Sequence, residues 1–307
     1  MKQVVEAALR LWGLESARWH RFAHRENTIY RVEAGTDCFA LRLHRPSYRT
    51  DAQLKSELDW MAGIADAVSV PAPLPSAHGE FLHRVEGVQV DVLHWLDGGM
   101  LVNQMAEPGT DRAGLFHRLG AAAARLHLAS DAWSPPQDFD RPDWNAEGLA
   151  GEAPVWGRFW ENPWLPESTR TLFEAFREVA STHLGQVSLD HGLIHADLLG
   201  ENVLVDGADL RFIDFDDGGF GYRLFELATA LVRQLDAPDY PALRSAIFDG
   251  YQSVRPLDTS AFDLILALRA TTYVGWIADR PDLPDAEDRQ ARNAVLAERL
   301  IRGYLDR

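Results

Sequence analysis

Apolar and polar residues alternate in two short runs near the start of the chain, 28–33 and 38–43. The turn formers Ala34-Gly35-Thr36-Asp37 between them predict a β-hairpin. In the second run Phe39, Leu41 and Leu43 share one face, which puts Arg42 on the other face with Ala40. Pro46 closes the hairpin, and Leu54, Leu58, Met61 and Ala65 then recur at helical spacing. Glu57 falls on the same apolar side of that helix, where an unpaired carboxylate is costly, so it requires a cationic partner. The proline-rich stretch 70–75 ends the helical pattern, and runs at 81–85 and 88–93, joined at Glu86-Gly87, predict two further strands. Asp97-Gly98-Gly99 breaks the pattern. A first, sheet-rich region, 1–93, is therefore set apart from a second region, 94–307.

Beyond Gly99 the spacing turns helical. Leu115, Leu119, Ala122 and Leu126 mark one helix; Leu172, Phe173, Phe176, Val179, Ala180, His183 and Leu184 a second; Leu224, Leu227, Ala228, Leu231 and Leu235 a third. Between the first two, the stretch from Phe139 to Trp164 is irregular and aromatic, with Trp144, Trp156, Phe159, Trp160 and Trp164. Two readings stand for it: packing between helices, and an aromatic wall for a bound substrate around Trp144 or Trp160.

Composition narrows the classes. A length of 307 residues exceeds what one hydrophobic core usually serves and favours two domains. The 30 Lys and Arg against 46 Asp and Glu give a net charge of −16, which disfavours nucleic acid and anionic membrane as partners. The opening Met1-Lys2-Gln3-Val4-Val5-Glu6 has an acid where a secretory signal needs its apolar run, so a cytoplasmic location is expected. Cys38 is the only cysteine and no HExxH spacing occurs, which excludes a disulfide framework and disfavours zinc chemistry. Lys2 and Lys55 are the only lysines, and neither follows the glycine-rich pattern of a Walker-type ATPase.

The segment His195-Ala196-Asp197-Leu198-Leu199-Gly200-Glu201-Asn202 carries the chemistry, together with Ile213-Asp214-Phe215-Asp216-Asp217. Between them, the apolar runs 203–205 and 210–213 flank Asp206-Gly207, a hairpin signal that returns Asp214 toward the Asp197 loop. Asp197 can then meet an acceptor hydroxyl, while Asn202 and Asp214 offer oxygen ligands suited to Mg²⁺.

The pattern HxDxxxxN, then a hairpin and IDF, resembles the aminoglycoside phosphotransferase and choline kinase group of the protein-kinase-like superfamily. The resemblance runs along nearly the whole chain, through Glu26-Asn27, Tyr30-Arg31-Val32, Phe39-Ala40-Leu41-Arg42, Ser56-Glu57-Leu58, Val70-Pro71-Ala72-Pro73, and Leu119-Gly120 to Leu126-His127. It implies a bilobal α+β fold with a small antiparallel-sheet N-lobe bearing one helix and a larger, mainly helical C-lobe. It further implies ATP- and Mg²⁺-dependent transfer of the γ-phosphoryl group to a small-molecule hydroxyl, on an amino alcohol or aminoglycoside among the candidates. Protein Ser/Thr kinases share this fold and stand as the alternative; a non-catalytic pseudokinase is disfavoured because Asp197, Asn202 and Asp214 are all present.

Carried over residue by residue, the resemblance makes Asp197 the group that orients and deprotonates the acceptor, and Asn202 and Asp214 the metal ligands. His94, Trp95 and Leu96 would receive adenine through their backbone. Arg42, clamped by Glu57, would touch the nucleotide phosphates where protein kinases usually carry Lys; no dense glycine loop covers the phosphates in the first hairpin, so contacts there would come from the backbone near Asn27 or from another residue. Asp216 and Asp217 read equally as aids to the metal or a cationic acceptor and as solvated turn acids. His195 is expected to brace its loop. The family commonly has Asp where this chain has Glu226, whose longer side chain is expected to brace the same loop.

Overall fold

The computed structural model describes residues 1–24 and 27–306, so Glu26 lies outside the described residues. In chain order the elements are α1 (Lys2–Leu11), β1 (Arg18–His24), β2 (Thr28–Ala34), β3 (Asp37–Leu43), α2 (Asp51–Ile64), β4 (Leu82–Val85), β5 (Val88–His94) and β6 (Gly99–Met100). They continue with α3 (Leu101–Ala106), α4 (Arg112–Ala132), β7 (Asp143–Trp144), α5 (Ala146–Ala150), α6 (Glu167–Gln186), β8 (His191–Ile194), β9 (Val203–Asp206) and β10 (Asp209–Phe212). The last are β11 (Gly219–Tyr222), α7 (Arg223–Val232), α8 (Tyr240–Gln252), α9 (Phe262–Ala278) and α10 (Ala286–Leu305). Contacts divide the chain into two units, one of Met1–Gln104, Ala129–Arg141 and Gly200–Asp216, the other of Met105–Leu128, Pro142–Leu199 and Asp217–Arg307.

In the first unit the expected hairpin closes with Ala34 opposite Asp37, so its loop is the pair Gly35-Thr36, and Gly35 takes the positive φ of 66° that this tight turn demands. The sheet is antiparallel in the order β1-β2-β3-β5-β4. Its one face buries Tyr30, Val32, Phe39, Leu41, Leu43, Val90 and Val92 together with Val4, Val5, Ala8 and Leu9 of α1. Helix α2 begins at a capping box, in which the Thr50 hydroxyl accepts from the Gln53 amide and the Gln53 side chain accepts from the Thr50 amide. Its Leu54, Leu58, Met61 and Ile64 are buried, and so is Glu57. A second small sheet, β10-β9-β6, carries the β9–β10 hairpin, with Asp206 opposite Asp209.

The second unit is mainly helical, with one small sheet in the order β7-β11-β8. Helices α4 and α8 approach almost backbone to backbone: a Cβ on Gly120 would lie 2.0 Å from the Ile247 carbonyl oxygen, and one on Gly250 1.9 Å from that of His117. Only glycine permits that crossing. Helix α9 is buried on nearly every side, which explains why it shows no amphipathic period. Among the described residues no helix is long and apolar enough to cross a membrane. The α+β class expected from the sequence, an antiparallel-sheet N-terminal part followed by a mainly helical part, is what the structure has.

Candidate active site

The loop after β8 carries Asp197 within the second unit. Glu226, one turn into α7 and fully buried, accepts from the His195 amide through Oε1 at 2.8 Å and from the Ala196 amide through Oε2 at 2.9 Å. The same helix supplies Thr229, three residues on and so on the same face, whose hydroxyl lies 3.3 Å from the Ala196 carbonyl oxygen. The glutamate therefore does hold the loop, with both carboxylate oxygens. Ala196 has φ of 65°, a left-handed conformation costly for a residue with a Cβ, and these bonds fix it in that state. Burial pushes the Glu226 carboxyl up, but His127 and the His195 amide outweigh it and hold the carboxyl below its usual range. His127 itself is driven down to about 4 by burial and by Arg223, so its ring is neutral at pH 7. His195 is fully buried, and its Nδ1 accepts from the Asp197 amide at 3.3 Å, a brace for the loop.

The Asp197 carboxylate is partly exposed and receives a bond from Arg269 of α9, 3.1 Å from NH2 to Oδ1. Arg269 has no exposed surface. Sequence reasoning passes it over, although a lone cation in the apolar run Phe262 to Ala278 calls for a partner by the same logic as Glu57 on α2.

In the first unit the chain leaves the β9–β10 hairpin with the Ile213 amide donating to the Asn202 carbonyl at 3.0 Å, which puts Asp214 on backbone adjoining Asn202. Asn202 is buried and Asp214 exposed, the latter at φ of 68°. Past it, Phe215 packs edge-on against Trp60, and Arg141 donates to the carbonyls of Phe215 and Asp216 at 2.8 and 2.6 Å. The pair Asn202 and Asp214 fits a hard divalent cation: one amide and one carboxylate are the few protein oxygens Mg²⁺ takes when phosphates and water complete its shell.

Arg42 is buried and saturated on one side by Asp91, through Nε at 2.8 Å and NH2 at 3.0 Å, and bonded to Glu57 through NH1 at 2.7 Å. Asp91 also accepts from His44 Nε2 at 2.6 Å, and Glu57 lies 3.6 Å from Arg141. Burial pushes the Asp91 carboxyl up, yet Arg42 and His44 prevail and hold it at about 2. Asp91 gives no sign of this role in the sequence, because it sits between Val90 and Val92 on a face that reads as the polar side of β5. Lys55, by contrast, is on the surface with Asp59. Asp216 is buried with its Oδ1 3.6 Å from Arg49 Nε, and burial together with Glu57 raises its carboxyl.

The remaining expected residues fall as follows. The Asn27 side chain accepts from the Arg45 amide at 3.2 Å. The His94 and Trp95 amides donate within the sheet unit, to Ala72 and Cys38, and the Leu96 amide and carbonyl have no hydrogen-bond partner among the described residues. Trp144 is fully buried, stacked on Phe225 with its indole N–H donating to the Asp217 carbonyl. Trp160 is also buried, under the Arg177 guanidinium. Both rings are interior packing groups, and the aromatic stretch presents neither as an exposed wall.

Fold and loop chemistry together define a phosphoryl-transfer enzyme. Residues 18–263 match the model of the phosphotransferase enzyme family, and the chain belongs to that family. It is 31% identical over 304 residues to the homoserine kinase of Polaromonas naphthalenivorans, with 91% of this chain and 89% of that protein covered. It is also 24% identical to the amicoumacin kinase of Bacillus subtilis, over 80% of this chain and 72% of that protein. Among solved structures, a microcompartment-associated aminopropanol kinase superposes with a TM-score of 0.84 at 27% identity, covering 100% of this chain and 98% of that one.

Proposed function

We propose that this chain phosphorylates the hydroxyl of a small amine-bearing alcohol, with ATP as donor and Mg²⁺ as metal. The observation that carries the reading is the His195 to Asp214 segment, in which a carboxylate on a rigidly anchored loop is followed by an amide and a carboxylate on adjoining backbone. Family membership supports the reaction class. The acceptor class is supported by relatives named for homoserine and aminopropanol, both hydroxyl compounds that carry an amine.

In this reading Asp197 accepts the hydrogen bond of the acceptor hydroxyl, which aims the hydroxyl oxygen's lone pair at the γ-phosphorus, and takes the proton as the new P–O bond forms and the bond from the γ-phosphorus to the bridging oxygen breaks, with ADP leaving. Asn202 and Asp214 hold the metal. Bound Mg²⁺ supplies neutralisation of charge on the phosphate oxygens. Leu96 offers an amide and a carbonyl to the adenine edge, and Arg42, Glu57 and Asn27 belong to the phosphate side of the nucleotide region 1–93, with 94–307 carrying catalysis and acceptor binding. Because phosphoryl transfer depends on alignment and charge more than on covalent help, loss of one aligned group is costly. Neither Asp216, buried against Arg49, nor the interior Trp144 and Trp160 is assigned a direct contact. The work is done where ATP and Mg²⁺ are abundant, the cytoplasm.

The test is an ADP-release assay with Mg²⁺ and ATP over homoserine, aminopropanol, ethanolamine, choline, aminoglycosides, neutral sugars and a generic protein substrate. Highest kcat/KM is expected on an amine-bearing alcohol, with Asp197→Asn lowering turnover by about 10²–10⁴ and leaving nucleotide binding intact. Neutral sugars ahead of every amine would overturn the acceptor class, and a protein substrate ahead of every small molecule would favour a protein kinase.

A further inference from the structure

Arg269 is a buried guanidinium in the middle of the apolar helix α9, where well-packed apolar residues would serve the core as well, so its burial is weak evidence for a stabilising role. Two of its nitrogens lead to the Asp197 loop. NH2 reaches Asp197 Oδ1 at 3.1 Å; Nε donates to the Thr229 hydroxyl at 2.8 Å, and that hydroxyl lies beside the Ala196 carbonyl. NH1 is fixed on the Thr272 hydroxyl at 2.7 Å. The guanidinium is enclosed by rings, with its carbon 4.1 Å from the centroid of Tyr273, 5.1 Å from that of Trp156 and 5.4 Å from that of Phe225. Trp156 comes from the irregular tryptophan stretch, so part of that stretch walls in this cation rather than a ligand. Cation–π contact and hydroxyl acceptors stabilise the charge without a second carboxylate.

We infer that Arg269 is a positioning residue which presets the Asp197 carboxylate and keeps an acceptor's ammonium group from pairing with it. This rests on the reading of Asp197 as the catalytic carboxylate. With no exposed surface, Arg269 cannot itself touch the acceptor or the nucleotide. Its NH2 donates to one carboxylate oxygen, Oδ1, and also to the Tyr273 hydroxyl at 3.1 Å, so a nitrogen that is itself held in place restrains the rotation of the carboxylate. The second effect follows from charge. A bare aspartate facing an amine-bearing alcohol attracts the ammonium before the hydroxyl, a tight but unproductive pose; with Arg269 at 3.1 Å that attraction is offset in advance and the hydroxyl is left as the favoured partner.

The test uses the full chain and the alcohol that ranks first in the ADP-release panel. Arg269→Gln is expected to lower kcat by about 10²-fold, the scale of an ångström of misplacement, while KM for ATP is unchanged and KM for the acceptor is unchanged or lower. In an Asp197→Asn background the same substitution is expected to change the residual rate less than twofold. A kcat within twofold of wild type overturns the inference, as does a loss shared by both KM values or repeated in full in the Asp197→Asn background, for those are marks of general structural damage. If Arg269→Gln does not fold, Arg269→Lys decides by the same criteria: lysine keeps the charge but not the fork, so a drop of about tenfold in kcat alone is expected and wild-type kcat overturns it. An inactive Asp197→Asn beside a fully active Arg269→Gln sinks this inference alone; an active Asp197→Asn sinks the assignment of Asp197 first.

Discussion

Replacing Glu226 by Gln keeps the shape of the side chain and removes its charge, which isolates what the carboxylate does for the loop. Both oxygens now accept from buried amides, His195 at 2.8 Å and Ala196 at 2.9 Å. Hydrogen bonds to a charged acceptor contribute about 1.5–3 kcal/mol each, against about 1 kcal/mol for a neutral pair. In the glutamine variant one amide keeps a neutral acceptor and the other faces an NH2 group that cannot accept, so one buried donor is stranded. The loss comes to about 3 kcal/mol, or about 1 M in the urea midpoint at an ordinary slope for a protein of this size. Turnover falls as well, by about 10²-fold, because the loop carrying Asp197 loses the bonds that hold Ala196 in its left-handed state. Glu226→Asp keeps the charge with a shorter reach and is expected to lie between the two. The assays are urea unfolding at pH 7 and steady-state ADP release on the three proteins. Unfolding free energy within about 0.5 kcal/mol of wild type, with turnover within twofold, would refute the claim that this carboxylate anchors the loop.

Asp214→Ala is expected to abolish the Mg²⁺-dependent part of nucleotide binding, measured by calorimetry with and without Mg²⁺; unchanged affinity would put the metal elsewhere. Arg42→Ala leaves the buried Asp91 with only His44 and the buried Glu57 with only Arg141 among the partners described above, and is expected to cost about 3 kcal/mol in denaturant unfolding and to weaken ATP more than adenosine; equal loss for both ligands would make Arg42 a purely structural cation. Asp91 is held at about 2 against an ordinary 3.8, so its pairing contributes about 2 kcal/mol that is complete above about pH 4 and lost as pH falls through 2. Unfolding free energy should therefore fall less steeply for Asp91→Asn than for wild type between about pH 5 and 2; identical slopes across that window would dismiss the pairing as a source of acid sensitivity.

What is legible in the sequence is legible through periodicity and charge. The β2–β3 hairpin follows from strict alternation around a turn, and Glu57 announces a hidden cation because a carboxylate on an apolar helix face is too costly to leave unpaired. The spacing of Asp197, Asn202 and Asp214, taken with the Arg42 and Glu57 pair, picks out the candidate segment. Helix α1 escapes the pattern reading although Val4, Val5, Ala8 and Leu9 have helical spacing, and β1 escapes it because nearly all of that strand is solvent-facing and gives no alternation. Asp91 and Arg269 stay hidden for one shared reason. Each is an ion whose partner is remote in sequence, 49 residues away for Asp91 with Arg42 and 72 for Arg269 with Asp197, and no short-range pattern encodes such a meeting. The third helical run extends to Leu235 by its spacing, whereas α7 ends at Val232.

The identity of the buried strand cation has a consequence for chemical labelling. Burial would push the Arg42 guanidinium down, but Asp91 and Glu57 raise it well above its ordinary value, so it never presents a neutral nitrogen to an electrophile. The chain's lysines are Lys2 and Lys55, both on the surface beside acids, Glu6 and Asp59. Acyl-phosphate derivatives of ATP, which mark many kinases by acylating an amine at the phosphate site, would find none on this strand. With the strand of Arg42 at the ATP phosphates, as proposed above, a profiling experiment that depends on such reagents would pass over this protein.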